Sequence, residues 1–401
     1  MKAFLDALEK FLTWFFAISF ALLAGYGVLR YQQRQARAQD PWLLAQRSQT
    51  QEAYAAYLKQ CEACPHEEEA RQALDDLQRR QGLLARLSRD HLKGRASISL
   101  PSFSADGQLI LATSGEGPEF WETQTGRHSD YGQGLFDRAR SRVRIDHLAL
   151  APDGHRIGAG TGGVEGGRLL VWDLQSEKRI SEQEVEGFDV KDVLFAADNS
   201  WLGWRGDGPV GVWDPGTQRF FRGTHDGVKS IAFLDAGDGH HYFVTANDRE
   251  LWLWDRENLS LIRQGGLQSE RPLLGISRDG RIVVHADARV LEVWDTEQRE
   301  LLAELRDLEG EIRRFCRDSR SGRLVVATDT GLLYLWDPKG SALPQGSVVA
   351  HQGPVEELAC SGLGQVVSVG WDSAKVWDLE RLSQAAAEPT TPAPAPVSRG
   401  H

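Results

Sequence analysis

A tryptophan followed by an acidic residue recurs along this chain at a nearly constant interval, and this period restricts the fold more than any other feature. Successive members lie 51, 41, 41, 40, 42 and 41 residues apart. The seven positions are Trp121, Trp172, Trp213, Trp254, Trp294, Trp336 and Trp377. A period in the low forties is typical of repeat proteins, in which each unit is too small to bury its own faces and stacks on its neighbours.

Each unit also has the same internal order of apolar runs and turns. Turn sequences such as "LAPDG" (150–154) and "ISRDG" (276–280) follow one apolar run, and the runs at 281–287 and 289–295 follow the second turn. Asp-Gly between apolar runs indicates a hairpin, because glycine accepts the positive φ that a tight turn requires. The sequence therefore predicts several short antiparallel strands in each unit.

These units resemble WD repeats, and the resemblance implies an all-β fold, a seven-bladed β-propeller over residues 95–383. In that family a histidine, a Ser/Thr, a turn aspartate and the tryptophan form a hydrogen-bonded tetrad. Two units match this pattern, with His225, Thr245, Asp248 and Trp254 in one and His351, Ser368, Asp372 and Trp377 in the other. The remaining tryptophans are interpreted as repeat anchors. Within "ELWLWDREN" (250–258) we expect Trp254 to anchor a blade and Trp252 to pack on the other face.

The start of the chain differs from the repeats. After a short tail (1–10), residues 11–29 contain no charge, and Lys10 and Arg30 flank them. Nineteen helical residues span roughly 28 Å, about the thickness of the hydrocarbon layer. The sequence therefore predicts a transmembrane helix at 11–29, with a signal peptide and a buried core helix as the alternatives. Lys/Arg counts on the two sides favour a cytoplasmic propeller by a small margin, with a periplasmic one as the alternative.

Residues 31–90 are predicted to form an α-helical connector. Apolar residues at helical spacing indicate helices over 50–61 and 66–87, similar to a tetratricopeptide-like helical hairpin or a plain spacer stalk. The segment Leu83–Leu87 is alternatively the outer strand that closes the last blade, since an open propeller edge would be exposed. The Pro/Ala-rich tail, 384–401, is predicted to be disordered.

Few residues indicate a catalytic, cofactor-binding or metal site. "GAGTGG" (158–163) matches a dinucleotide-binding glycine pattern, but the next segment is predicted to be a strand where that site needs a helix. Cys61, Cys64 and His66 are weak candidates for a metal site or redox pair, because zinc needs a fourth ligand. Cys316 and Cys360 lie in apolar strand contexts and are interpreted as packing residues. We predict no catalytic residue, no cofactor and no enzymatic activity.

These features favour a membrane-anchored scaffold, bacterial in character, that binds other proteins or peptides through its propeller and contacts lipid through residues 11–29. The net charge of −11 disfavours a nucleic-acid partner, which would require a basic surface. The alternatives are a membrane sensor or complex subunit that binds a small ligand, and an enzyme with its chemistry in the central channel.

Overall fold

The computed structural model describes residues 40–60, 65–88, 98–114, 117–131, 145–162, 166–207, 209–224, 227–235, 239–341 and 343–387. These residues fall into two compact units, the first ending at Leu77 in its described part and the second beginning at Gln78. Each unit is described by itself below.

The first unit consists of helices α1 (Pro41–Ser48), α2 (Gln51–Gln60) and most of α3 (Glu67–Arg80). Helix α1 begins where the Asp40 carboxylate accepts a hydrogen bond from the Trp42 backbone N–H at 3.0 Å, and Pro41 occupies the first turn. The buried core of the unit includes Trp42, Tyr54 and Tyr57. The predicted membrane span at 11–29 lies outside the described residues. Within the described part of the chain, no helix is both long and apolar enough to cross a bilayer.

The second unit is a seven-bladed propeller with four antiparallel strands in each blade. Blades 1 and 2 contain β2 (Ser99–Phe103), β3 (Leu109–Ser114), β4 (Gly117–Glu122), β5 (His128–Ser129), then β6 (Ile145–Leu150), β7 (Arg156–Thr161), β8 (Gly167–Asp173) and β9 (Lys178–Val185). Blades 3 and 4 contain β10 (Val190–Phe195), β11 (Leu202–Gly206), β12 (Pro209–Asp214), β13 (Arg219–Thr224), then β14 (Ser230–Asp235), β15 (His241–Ala246), β16 (Glu250–Asp255) and β17 (Ser260–Gly266).

Blades 5 and 6 contain β18 (Leu273–Ile276), β19 (Ile282–Ala286), β20 (Leu291–Asp295), β21 (Leu301–Leu305), then β22 (Ile312–Arg317), β23 (Leu324–Thr328), β24 (Leu332–Trp336) and β25 (Gly346–Val349). Blade 7 contains β26 (Val355–Cys360), β27 (Gln365–Gly370), β28 (Ala374–Asp378) and, from far earlier in the chain, β1 (Leu83–Arg86). First strands pack together at most boundaries between neighbouring blades, and β2 against β26 joins blade 1 to blade 7. Helix α4 (Leu379–Ala387) follows the last strand.

The seven repeat tryptophans occupy the same register position in their blades. Each lies in the third strand, opposite a second-strand aliphatic or aromatic residue. The partners are Ile110, Ile157, Leu202, Phe243, Val283, Leu324 and Val366. All seven indole side chains are buried, in clusters that join one blade to the next. The predicted seven-bladed propeller is therefore confirmed, because one tryptophan period equals one blade.

The ring closes through β1, the alternative assignment for residues 83–87. Leu83 pairs with Trp377 and Arg86 with Lys375, so β1 covers the outer edge of β28. The predicted helix over 66–87 is wrong beyond Arg80. Gly82 has a φ of +107°, and a Cβ there would lie 2.8 Å from the Asp378 carbonyl oxygen. Only glycine fits this close approach, at which the chain turns from helix into strand.

Two further expectations are corrected by the structure. Trp252 and Trp254 belong to the same buried cluster, because side chains two residues apart in a strand lie on one face. The predicted disordered tail begins too early, since α4 extends to Ala387; residues 388–401 lie outside the described part. The predicted strand after "GAGTGG" is confirmed as β8. A Cβ on Gly158 would lie 2.6 Å from Leu202 of blade 3, so this glycine allows close blade packing.

We predict that closure by β1 is required for stability. A chain beginning at Gln78 keeps β1 and should melt cooperatively, whereas one beginning at Ser88 exposes the β28 edge and the apolar surface around Trp377. The second variant should aggregate or melt far lower, as measured by circular dichroism and size-exclusion chromatography. Equal melting temperatures for the two would show that β1 contributes little.

Candidate functional site

The propeller presents two faces that carry different features. We call the side with the turns between first and second strands the 1–2 face, and the opposite side, with the turns between second and third strands, the 2–3 face. Both predicted tetrads have their turn aspartates, Asp248 and Asp372, on the 2–3 face.

Blade 7 brings all four members of its predicted tetrad together. Trp377 donates its indole N–H to Ser368 Oγ at 2.9 Å, and Ser368 Oγ lies 2.8 Å from His351 Nε2. His351 Nδ1 lies 2.7 Å from Asp372 Oδ1. Because the Asp372 carboxylate can only accept, His351 Nδ1–H donates to it, and Nε2 of the neutral imidazole accepts from the Ser368 hydroxyl, whose oxygen accepts from the indole. The chain of bonds is thus complete when the imidazole is neutral.

Burial sets the protonation of this tetrad. Burial lowers the pKa of His351 below its ordinary value, against the opposing pull of Asp372. Burial would raise the pKa of Asp372, but the hydrogen bond with His351 and the charge of Lys375 outweigh it and hold this pKa at about 2. Lys375 is itself fully buried, with Nζ 3.7 Å from Asp372 Oδ2 and a hydrogen bond to the Ala350 carbonyl. A neutral imidazole beside a carboxylate and an ammonium suits a structural role.

In blade 4 the structure brings together part of the other predicted tetrad. Trp254 donates its indole N–H to Thr245 Oγ1 at 3.1 Å. Asp248 forms an ion pair with Lys229 at 2.6 Å and accepts from the Leu273 backbone N–H at 2.9 Å, which ties blade 4 to blade 5. His225 lies outside the described residues.

Blades without the histidine satisfy the tryptophan differently. In blade 5, Trp294 donates to Glu292 Oε2 at 3.2 Å, and Arg271 contacts both Glu292 and Asp287. An arginine network thus stands where the tetrad would be. Trp213 of blade 3 finds no hydrogen-bond partner for its buried indole N–H among the residues that the structure describes. Trp121, Trp172 and Trp336 are buried anchors in their blades, as their spacing predicts.

The 2–3 face of blade 7 carries an exposed tryptophan. Trp371 follows β27 directly and is 64% exposed. It lies over the loop that contains Gly353, where an added Cβ would come within 2.7 Å of the indole nitrogen. Its neighbour Asp372 is fixed by the tetrad, so the backbone that carries this indole is held in place. A large apolar side chain presented from a rigid backbone is suited to binding a partner.

The central channel is lined by ionisable residues on the first strands. His147, Asp192, Arg314 and Glu357 occupy equivalent register positions, each just after a β-bulge. Burial raises the pKa of Asp192 and of Glu357, while Arg205 and Arg278 act to lower the first and Arg314 acts to lower the second. The charge of Asp192 in blade 3 also raises the pKa of Glu357 in blade 7.

An arginine from blade 5 bridges this channel at the 1–2 face. Arg278 donates to Ser102 Oγ of blade 1 at 3.1 Å, across a separation of 176 residues. Arg278 remains accessible to solvent, while the protein around its guanidinium lowers its pKa and the charge of Asp192 opposes this shift. None of these channel residues is singled out by the repeat pattern, which explains why the sequence did not indicate them. The register of the repeats could have aligned His147 with the other three.

A disulfide joins the first strands of blades 6 and 7. Cys316 and Cys360 are bonded, with their Cα atoms 5.6 Å apart. Their interpretation as packing residues is therefore incomplete, although both also pack against a buried cluster. Their separation of 44 residues is close to one blade period, and this spacing could have indicated that they lie side by side.

Of the three weak candidates for a metal site, only His66 lies within the described residues. Cys61 and Cys64 lie outside the described residues. His66 stacks on Trp42 with ring centroids 4.7 Å apart, and its Nδ1 lies 3.1 Å from Glu69 Oε1. Among the residues that the structure describes, no group of three or more His, Cys, Asp or Glu side chains could hold a metal ion.

No family model matches the chain. The chain is similar to Tricorn protease homolog 1 of Streptomyces coelicolor, with 29% identity over 111 residues. The match covers 27% of this chain and about a tenth of that protein's length, and it is consistent with the propeller fold.

We predict that the blade 7 tetrad makes the propeller acid-sensitive. A lowered His351 pKa means that the unfolded chain binds more protons, so this contribution is present above pH 6.5 and lost as the pH falls below it. The Asp372 contribution is present above pH 3.8 and lost as the pH falls towards 2. The free energy of unfolding, measured with denaturant, should decline for the wild type between pH 8 and pH 5. This decline should be smaller in His351→Gln.

A serine pair provides the matched test at neutral pH. Ser368→Ala leaves the buried indole and imidazole nitrogens without their partner and should cost about 1–3 kcal/mol of unfolding free energy. Ser347→Ala removes an exposed hydroxyl on the outer strand of blade 6 and should cost little. Similar losses for the two would contradict the assignment of the tetrad as a structural element.

Proposed function

We propose that this protein is a membrane-anchored, WD-repeat-like scaffold without enzymatic activity that binds a protein partner through the 2–3 face of its propeller. The observation that carries the proposal is Trp371, exposed on a backbone fixed by the tetrad of blade 7. Tryptophan is enriched among residues that dominate binding energy at protein interfaces. The resemblance to WD repeats supports the same reading.

We further infer that the propeller lies on the oxidising side of the membrane, in the periplasm if the source is bacterial. Disulfides persist in oxidising compartments and are rare in the cytosol. The bond between Cys316 and Cys360 therefore supports the periplasmic alternative. The charge difference across residues 11–29 that favours a cytoplasmic propeller is small. Lys2 and Lys10 lie before the segment, and Asp6 and Glu9 offset them only in part.

The similarity to Tricorn protease homolog 1 does not extend this proposal to proteolysis. It covers about a tenth of that protein and 111 residues of this chain. The sequence lacks the serine elbow and the phosphate-binding glycine-lysine motif that would indicate hydrolase or nucleotide chemistry. A binding role, unlike hydrolysis or nucleotide chemistry, requires none of these motifs.

We predict that Trp371→Ala abolishes partner binding without changing stability, because an exposed indole contributes little to the core. The measurement is affinity purification of tagged protein from membranes, with bound proteins identified by mass spectrometry. Leu343→Ala is the control, because Leu343 is 70% exposed but lies in the connection between β24 and β25, on the 1–2 face. If Trp371→Ala retains every partner of the wild type, the proposed surface is wrong.

We predict that protease added to intact spheroplasts cleaves the propeller, since an outward-facing domain is accessible to it. Deleting residues 1–30 should release the protein from the membrane fraction. Peptide mapping without reductant should recover the bond between Cys316 and Cys360. A propeller that is protected until the membrane is lysed would contradict the inferred orientation, and a truncated protein that still sediments with membranes would contradict the anchor.

A further inference from the structure

A cavity of about 580 Å³ opens at the 1–2 face, over the mouth of the central channel. Turns from all seven blades contribute to it, so it is a property of the closed ring. Its volume lies in the range of sites that bind small organic molecules. It lies on the opposite side of the propeller from Trp371, so ligand binding in this cavity is independent of the proposed scaffold surface.

The wall of this cavity is largely apolar. Phe103, Phe195 and Phe233, near the ends of first strands, line it with 4–7% of each residue exposed, and Leu363 contributes a more exposed surface at 44%. Tyr242 of blade 4 adds a further ring. This lining suits a ligand with a compact aromatic or aliphatic body, which would be removed from water on binding.

The charged groups of the cavity are mostly paired with one another. Asp198 contacts Arg256 at 2.5 Å, and Asp279 contacts Arg317. Arg281 donates to the Asp235 carbonyl oxygen at 3.1 Å. Four arginines and three aspartates line the cavity, in a protein whose net charge is −11. The cavity lining therefore carries an excess of one positive charge on an acidic protein.

Arg278 is the arginine whose position suits it to an incoming anion. Arg278 donates its hydrogen bond to the neutral hydroxyl of Ser102. The carboxylate that influences the pKa of Arg278 belongs to Asp192, on the first strand of blade 3. A guanidinium presents five donors in a planar fork that matches a carboxylate with two parallel hydrogen bonds. A ligand carboxylate could replace the serine hydroxyl as acceptor and offer a full charge.

We propose that this cavity binds a small organic carboxylate with an apolar body, and that Arg278 receives its carboxylate. The apolar part lies against the phenylalanines, and the bound ligand covers the mouth of the channel. The carboxylate and the apolar body are both required, because the carboxylate binds Arg278 and the apolar body packs against the cavity wall.

The test uses the full chain in phosphatidylcholine nanodiscs and isothermal titration calorimetry. The probes are 3-phenylpropionate and 3-cyclohexylpropionate, with 3-phenylpropionamide as the neutral match. We expect both acids to bind and the amide to bind at least about tenfold more weakly, since it lacks the charge that strengthens hydrogen bonds to arginine. Raising the salt concentration should weaken the acids and leave the amide unchanged.

Variants separate the role of Arg278 from general charge effects. R278Q should weaken acid binding roughly tenfold or more, and R278K, which keeps the charge but loses the fork, should fall between it and the wild type. R289Q is the control, because Arg289 is an exposed arginine of the same blade on the 2–3 face. Melting curves establish that each variant is folded.

Failure of both acids to bind at millimolar concentration, equal binding of acid and amide, or unchanged binding by a folded R278Q would each overturn the proposal. W371A should bind the acids like the wild type, so loss of partner binding and loss of acid binding can be told apart.

Discussion

The backbone pairing of β1 with β28 is the interaction on which the ring depends. It places Leu83 opposite Trp377 and completes blade 7 with a strand from before the first blade. Without it, β28 would be an open edge, and the cluster that contains both residues would lose its outer cover. The tetrad of His351, the disulfide and the channel mouth all involve blade 7, and hence rely on this closure.

Much of this architecture could be predicted from the sequence, because a repeated constraint leaves a repeated residue. A tryptophan at one register position in every blade yields the period, and Asp-Gly turns mark the hairpins. The sequence also offers the closing strand at 83–87 as an alternative, because a ring without it has an exposed edge. The helix that precedes it ends earlier than its apolar spacing suggests, since Gly82 must pass close to Asp378 of a blade almost 300 residues away.

The candidate site was less predictable, for a related reason. The side chains that distinguish this propeller are those that differ between blades, and their proximity depends on the ring rather than on local spacing. Arg278 and Ser102 meet across the channel, and Cys316 meets Cys360 across a blade boundary. Trp252 shows a different error, because its position two residues from Trp254 already placed both on one strand face.

The pairing of Leu83 with Trp377 also sets an order of events during synthesis. The first of these strands leaves the ribosome about 290 residues before its partner, which at ordinary elongation rates corresponds to roughly 15–60 seconds. During that time the early strand must avoid pairing with the blades that emerge in between, and each new blade has an uncovered neighbour face. The early strand therefore remains without its native partner until the last blade has been made.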